Sequence, residues 1–259
     1  MKPLGIVACA IVCAGLFDQT VVRADYDNAI SINISGGGNG DVTSSTVGAG
    51  GVLAANWINT NYSSLRGAPL QLTGSTSSGD SLANFRVSLY TGGWGSGGAW
   101  ENTTAAANSP GRSGWTLGTM PNGWGDVRQD INITGVPASF LALGYDVYAL
   151  AGPNYNSLAW TKMNTTPLTT AASGLITSLM PATSYHVGAA YQVMAIAAPP
   201  VAYWTGVVNN GVWTSAANFS SDVSGLIPWT GSASTADVVF NATTVQGVVN
   251  SILGVNQSI

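Results

Sequence analysis

Short stretches of the chain alternate between hydrophobic and polar residues, and this period of two predicts β-strands. Ile30, Ile32 and Ile34 alternate with the polar residues Ser31 and Asn33, so successive side chains would point to opposite faces of a sheet. Glycine, proline and asparagine occupy the intervals, which favours turns between the strands. Four further stretches are strand-like: residues 85–90, 131–133, 145–150 and 186–196.

No stretch carries the pattern of a long surface helix. Residues 105–108 are too few, and residues 168–179 contain too much threonine and serine for a stable helix. Only 7% of the chain is charged, and glycine supplies 33 of its 259 residues; this composition favours turns and strands. Short strands at this spacing predict an all-β fold, a β-sandwich of jelly-roll-like type.

The N-terminal residues have the features of a signal peptide. Lys2 supplies a positive start, and residues 4–17 form an apolar stretch that is short for a membrane span. Val22 and Ala24 place small or apolar side chains at the positions that a signal peptidase reads. We therefore expect residues 1–24 to be removed during bacterial-type export, and the protein to be secreted or held at the cell surface.

Export would change the chemistry that the chain can perform. Cys9 and Cys13 are the two cysteines, and both lie in the expected signal peptide, so the mature chain would have no disulfide or thiol chemistry. Cleavage would leave five basic and ten acidic residues, a net charge of −5. Such a chain has nothing basic to attract nucleic acid or anionic lipid. We expect neither a nucleic-acid partner nor a membrane span after cleavage.

Two adjacent prolines divide the mature chain. Pro199 and Pro200 cannot donate backbone hydrogen bonds and form a stiff spacer. The residue pattern of the sequence changes there, because short segments rich in aromatic residues follow the prolines. We predict that residues 25–198 form the jelly-roll-like β-sandwich domain and that residues 201–259 form a second, smaller β-unit.

The aromatic and aspartate spacing of the second unit resembles the opening of bacterial autotransporter-associated β-strand repeat proteins. The pieces that carry the resemblance are residues 203–206, Trp213, residues 218–220, 237–242 and 253–254, about the last quarter of the chain. The resemblance implies that residues 201–259 begin a β-solenoid. It also implies an exported, non-enzymatic surface or passenger-type protein with an adhesive or structural role, whose partners would be polysaccharide or other cell-surface components.

The first domain is similar to an uncharacterised β-domain of secreted bacterial proteins that stands beside such repeats. The similar pieces are residues 30–34, 51–57, 131–137 and 145–148. This resemblance carries no catalytic residue over to the chain.

The residues themselves give no convincing catalytic arrangement. His186 is the only histidine and follows Tyr185 in a strand-like stretch, and no Gly-x-Ser-x-Gly elbow accompanies it. Glu101 is the only glutamate, while Asp126 and Asp130 are four residues apart in a region typical of a turn. We expect that the protein is not an enzyme. A secreted glycoside hydrolase with a carboxylate pair remains a distant third alternative.

Cofactor and metal motifs are equally sparse. Residues 93–98 match a dinucleotide-binding glycine pattern, but no helix start follows them, so a loop is expected. One histidine without mature cysteine excludes ordinary zinc sites. Asp25, Asp27, Asn28 and Asp41 could supply oxygen ligands to a structural calcium ion, although no calcium-loop motif contains them. We expect no cofactor, and structural calcium stays open.

Tryptophans are the most suggestive feature for ligand binding. An indole ring can stack on a sugar face, and it can equally fill the end of a sandwich. Trp57, Trp204 and Trp213 are expected in the core. A carbohydrate-binding module is therefore the alternative function, with four tryptophans of a glycine-rich polar region as its candidate site: Trp94, Trp100, Trp115 and Trp124.

The C-terminal residues predict association. Residues 248–259 are strand-like with apolar side chains on both faces up to the last residue. Repeat architectures need about three or more units and a polar cap, whereas a single unit follows the prolines. We expect the chain to be the front of a longer passenger or a truncated product, and to self-associate through this strand.

Overall fold

The computed structural model describes most of the first predicted domain and three short segments of the second. The described residues are 26–35, 40–92, 99–117, 127–180, 186–198, 201–205, 216–220 and 237–240. Within them the chain forms sixteen β-strands, one α-helix of four residues and three 3-10 turns. The all-β fold class expected from the alternating pattern is confirmed.

Residues 25–199 form one compact unit, and the residues from 200 onward belong to another. The strands of the first unit are β1 (Tyr26–Ile34), β2 (Thr46–Val47), β3 (Leu53–Ala54), β4 (Ile58–Thr60), β5 (Leu70–Gln71), β6 (Arg86–Gly92), β7 (Ala99–Glu101), β8 (Ser113–Leu117), β9 (Val127–Thr134), β10 (Tyr145–Gly152), β11 (Ala159–Lys162), β12 (Ala172–Met180) and β13 (His186–Ile196). Its helix α1 is Tyr62–Leu65, and its 3-10 turns are Ala49–Gly51 and Ala138–Phe140.

Two of the sheets pack face to face in the first unit. The seven-stranded sheet has the order β11-β10-β13-β1-β4, with β8 also paired to β13 and β7 paired to β8. The four-stranded sheet has the order β12-β9-β6-β5. After β8 the chain changes sheet at β9, β10, β12 and β13, as expected for a jelly-roll-like sandwich. The remaining pair, β2 with β3, is a short antiparallel hairpin.

The core lies between the inner faces of these two sheets. The alternation read from the sequence holds here, since Val87 and Leu89 are buried while Arg86 and Tyr90 are exposed. Aliphatic and aromatic side chains from both sheets form one contiguous cluster. The seven-stranded sheet contributes Ile30, Ile32, Ile34, Tyr145, Val147, Tyr191 and Val193, and the other side contributes Phe85, Val87, Leu89, Ile131, Ile133 and Ile176.

A third layer covers the outer face of the seven-stranded sheet. Residues 40–57, here called the strap, run over this face and bury Ser31 and Asn33, the polar residues of the β1 alternation. Gln192 on β13 fixes the strap, because its Oε1 accepts a hydrogen bond from the Ala49 amide at 2.5 Å and its Nε2 donates to Ser31 Oγ at 2.8 Å. The Ser31 hydroxyl and the Asn33 amide nitrogen are thus hydrogen-bonded beneath the strap.

The second unit is described over three strands and one 3-10 turn: β14 (Val201–Trp204), β15 (Phe219–Ser220), β16 (Asp237–Phe240) and Ala216–Asn218. β14 pairs with β15 in antiparallel fashion and with β16 in parallel, from Val201 opposite Asp237 to Trp204 opposite Phe240. Trp204 is buried and contacts Phe219 edge-on at 5.1 Å between ring centroids. Trp213 and the expected strand in residues 248–259 lie outside the described residues.

None of the helices in the described ranges has the length and hydropathy that a membrane crossing would need.

Candidate functional site

The structure places one of the four candidate tryptophans in the middle of the core. Trp115 on β8 is fully buried, and its ring stacks against Tyr62 at 5.6 Å and against Tyr191 at 5.8 Å between centroids. A sugar could contact this ring only if the sandwich opened. Trp94 and Trp124 lie outside the described residues.

Trp100 is the candidate tryptophan that keeps some access to solvent. It is half-buried on β7 and lies 6.2 Å from the ring of Tyr155, which is 43% exposed. Trp100 pairs across the strands with Gly114, next to Trp115. Adjacent residues of a strand face opposite ways, so Trp100 and Trp115 do not share a surface.

The catalytic residue types considered from the sequence are dispersed in the described structure. His186 begins β13, where it pairs with Leu117 of β8. Glu101 ends β7 and forms an ion pair with Arg112 at 3.3 Å on the surface. Asp126 and residues 93–98, the glycine pattern, lie outside the described residues.

Asp130 lies on β9 and is fully buried. Its Oδ2 is 2.8 Å from Nε of Arg128, and the guanidinium of Arg128 lies 5.3 Å above the centre of the Tyr90 ring. The ion pair lies within β9, and the cation–π contact joins β9 to Tyr90 on β6. This arrangement contains one carboxylate, whereas glycoside hydrolysis needs two that face the same bond.

Asn28, one of the residues expected to supply oxygen ligands to calcium, forms hydrogen bonds within the protein instead. Asn28 Oδ1 accepts hydrogen bonds from the amides of Ala29 and Ser78 at 2.9 and 3.1 Å, and its Nδ2 donates to Asp80 Oδ2 at 3.1 Å. Asp27 and Asp41 are exposed. No group of three histidine, cysteine or acidic side chains that could hold a metal occurs among the described residues.

Asp146 is the centre of a buried polar cluster in the first unit. It is fully buried on the outer face of β10, and three side chains contact its carboxylate. Its Oδ2 accepts a hydrogen bond from Tyr26 OH at 2.6 Å and lies 2.7 Å from Lys162 Nζ, while its Oδ1 accepts from Asn164 Nδ2 at 2.8 Å. The hydroxyl of Tyr148 lies 2.9 Å from that of Tyr26.

The charges and hydrogen bonds of this cluster indicate a structural role. Burial, and then the hydrogen bond to Asp146, raise the pKa of Tyr26 well above its ordinary value. Tyr26 therefore stays protonated at neutral pH, and both oxygens of Asp146 are occupied by fixed donors. A carboxylate held in this way joins β1, β10 and β11 through three fixed donors, Tyr26, Asn164 and Lys162.

An open cleft of about 500 Å³ lies on the strap and has a different character. One wall is residues 42–45 and the other is residues 55–59. The lining residues are Val42, Thr43, Ser44, Ser45, Ala55, Asn56, Trp57 and Asn59.

Side chain to backbone hydrogen bonds hold the two walls. Asn59 Oδ1 accepts from the Val42 amide at 2.9 Å, and Asn59 Nδ2 donates to the Val42 carbonyl at 3.1 Å. Asn33 Nδ2 on β1 donates to Asn59 Oδ1 at 2.9 Å and to the Gly40 carbonyl at 2.7 Å. The indole Nε1 of Trp57 donates to the Ala54 carbonyl at 3.2 Å. Asn33 therefore anchors the walls on strand β1 of the seven-stranded sheet.

The lining is neutral and polar. It offers hydroxyl groups from Thr43, Ser44 and Ser45, amide groups from Asn56 and Asn59, and the buried edge of Trp57. None of these lining side chains titrates near neutral pH. Such a surface can exchange hydrogen bonds with a neutral polar ligand, and it supplies neither a nucleophile with its base nor a metal-binding set.

Sequence reasoning missed this cleft. Trp57 was expected in the core, and it is indeed 91% buried, being 9% exposed. The sequence feature that could have predicted the cleft is the run of hydroxyl residues 43–46, which precedes Asn56 and Asn59 by about ten residues. Runs of serine and threonine are common in turns, so the pattern acquires meaning only when the chain folds the two segments against each other.

Comparisons with known proteins do not supply a name for this site. Neither the family models, nor the curated proteins, nor the solved structures gave a match to this chain.

Proposed function

We propose that this chain is an exported, non-enzymatic surface or extracellular protein of passenger type that acts by adhesion. The supporting observation is the contrast between the two polar sites of the first unit. Three fixed donors hold the buried carboxylate of Asp146 in one of them, whereas the other is an open and neutral cleft. A rigid β-sandwich with an accessible neutral surface suits binding better than it suits proton transfer.

The second unit supports the passenger-type part of the proposal. β14 and β16 are parallel at a constant register, with Val201 opposite Asp237 and Trp204 opposite Phe240. Parallel strand pairing is a feature that this sheet shares with a β-solenoid, while the intervening strand β15 pairs with β14 in antiparallel fashion.

The test uses mature protein made by secretion of the full sequence. Intact mass should correspond to cleavage after Ala24, and the product should be retained on whole cells or on insoluble polysaccharide without releasing reducing sugar. Conversion of any polysaccharide that is lost in Asp146→Asn or Glu101→Gln would contradict the proposal and favour the hydrolase. Retention on no surface would contradict adhesion itself.

A carbohydrate-binding module is the second candidate, and one observation favours it. Trp100 and Tyr155 form a partly exposed aromatic pair, and such pairs can stack on sugar rings. Trp115 cannot take part without unfolding of the core. The variant Trp100→Ala separates this surface from other binding surfaces, because loss of retention in this variant alone would assign the contact to the aromatic pair.

A further inference from the structure

We propose that the strap cleft, formed by residues 42–45 and 55–59, is a binding site for a neutral saccharide. The inference rests on the proposed adhesive function and specifies a ligand class for it. It concerns a surface other than that of Trp100 and Trp115, the two candidate tryptophans that the structure describes, since neither of them lines the cleft.

The size and stiffness of the cleft suit a small polar ligand. Its volume of about 500 Å³ lies within the range of small-molecule sites, roughly 300 to 1,000 Å³. Asn59 bridges the walls through both the amide and the carbonyl of Val42, and Thr43 Oγ1 donates to Asn108 Oδ1 at 2.9 Å on the outer side of the first wall. A site that is already fixed loses little conformational entropy when it binds.

The lining selects the chemical class. A charged ligand would lose hydration and find no counter-charge, because no ionisable side chain lines the cleft. Asp41 precedes the first wall and is exposed, but it is not among the lining residues. An apolar ligand would leave hydroxyl and amide groups without partners. A neutral saccharide offers hydroxyl donors and acceptors together with C–H faces, which matches the hydroxyl groups, the amides and the edge of Trp57.

Two hydroxyl groups of the first wall are available for such exchange. Ser44 and Ser45 are exposed and form no hydrogen bond within the part of the chain that the structure describes. Across the cleft, Asn56 has a φ of +57°, and among the described non-glycine residues it alone has a positive φ. Its Nδ2 donates to the Thr76 carbonyl at 2.8 Å. Asparagine is among the residues that adopt this left-handed conformation most readily, and Asn56 lies between Ala55 and Trp57, which line the same wall.

The experiment titrates the mature full chain with two sets of oligosaccharides of six units. The neutral set contains β-1,4-glucose, β-1,4-xylose, β-1,4-N-acetylglucosamine, α-1,4-glucose and β-1,4-mannose chains, and the charged set contains galacturonate and glucosamine chains. We expect at least one neutral chain to bind, to shift the indole Nε1–H resonance of Trp57, and to bind about tenfold more tightly than the charged chains.

A pair of matched variants locates the site. Ser45→Phe fills the cleft and should weaken binding by about tenfold or more. Ser63→Phe adds the same side chain at an exposed position of α1 outside the cleft and should leave binding unchanged. Both variants should show the far-ultraviolet circular dichroism and unfolding midpoint of the parent, and Trp57→Phe serves as a second cleft variant if Ser45→Phe does not fold.

Each other result overturns a defined part of the inference. Equal binding by Ser45→Phe and Ser63→Phe, or binding without a shift at Trp57, places the saccharide elsewhere. Tighter binding of a charged chain refutes the ligand class. Retention on cells without binding of any saccharide refutes the saccharide site and leaves adhesion standing, whereas absence of both refutes the proposed function as well.

Discussion

Trp115 and Gly188 lie opposite each other on the antiparallel strands β8 and β13, and the indole of Trp115 fills the space that a side chain at position 188 would need. A Cβ atom at Gly188 would lie 2.6 Å from Cζ2 and 2.8 Å from Cη2 of Trp115. These distances are shorter than van der Waals contact, so the two residues are complementary in size. This pairing is what allows the ring to reach Tyr62 and Tyr191 in the core.

The pairing predicts the effect of Gly188→Ala. The added methyl group must displace the indole of Trp115 from a packed core, and we expect a loss of about 2 kcal/mol in the free energy of unfolding. Urea unfolding followed by tryptophan fluorescence would measure it. Trp115→Phe in the same chain should restore part of the loss, with a favourable coupling of about 1 kcal/mol in a double-mutant cycle. Strictly additive effects of the two substitutions would contradict the size complementarity.

The strap should depend on Gln192. Gln192→Ala leaves the buried Ala49 amide and the Ser31 hydroxyl without their partner, and we expect destabilisation of about 2 kcal/mol. The matched control is Gln71→Ala, which removes the exposed side-chain hydrogen bonds to Ala83 and Arg86 and should cost about 0.5 kcal/mol or less. Hydrogen exchange provides a second measurement, because the Ala49 amide should lose its protection in Gln192→Ala. Equal costs for the two variants would argue that the strap is not fixed at this point.

Asp146 should be far more important for stability than the surface acid Glu101. Asp146→Ala removes the acceptor of Tyr26, Asn164 and Lys162 from a buried site, and we expect a cost of about 3 kcal/mol. Glu101→Ala breaks an accessible ion pair with Arg112 and should cost about 0.5 kcal/mol. Chemical unfolding of both variants under identical conditions checks this difference. Unchanged retention on the target surface by folded Asp146→Ala would agree with a structural role for the cluster.

The sandwich should lose stability at alkaline pH. Burial raises the pKa of Tyr145 from 10.0 to about 12 and raises the pKa values of Tyr191 and Tyr26 further. Below about pH 10 all three tyrosines keep their protons in the folded and unfolded chain, and their contribution to stability is complete. Above pH 10 the unfolded chain releases protons that the folded chain retains. The free energy of unfolding therefore falls by about 1.4 kcal/mol per pH unit for each tyrosine. For Tyr145 this fall ends at about pH 12, where the folded chain also releases the proton.

Urea midpoints measured between pH 8 and about pH 12 would test this slope. Tyr145→Phe should reduce the fall in stability per pH unit by the contribution of one tyrosine. A stability that rises with pH across this interval would contradict the argument.

The sequence by itself determined the class of the fold and the positions of several of its strands. The alternation of Ile30, Ile32 and Ile34 with Ser31 and Asn33 is a local pattern, and it fixed both a strand and the face that would meet the core. Sparse charge and abundant glycine excluded long surface helices, for reasons that also need no knowledge of distant residues.

Only the tertiary structure decided which polar faces are covered and where a ligand can enter. Ser31 is buried because Gln192, 161 residues along the chain, brings the strap over it. Trp115 belongs to the core and not to a binding loop because Gly188 leaves room for it. Such contacts join residues that are far apart in the chain, so the local alternation of hydrophobic and polar residues cannot predict them. The alternation tells which side chains are hydrophobic, whereas the pairing of distant strands decides which side chains become buried. The strap cleft arises in the same way, where Asn59 draws residues 42–45 against residues 55–59.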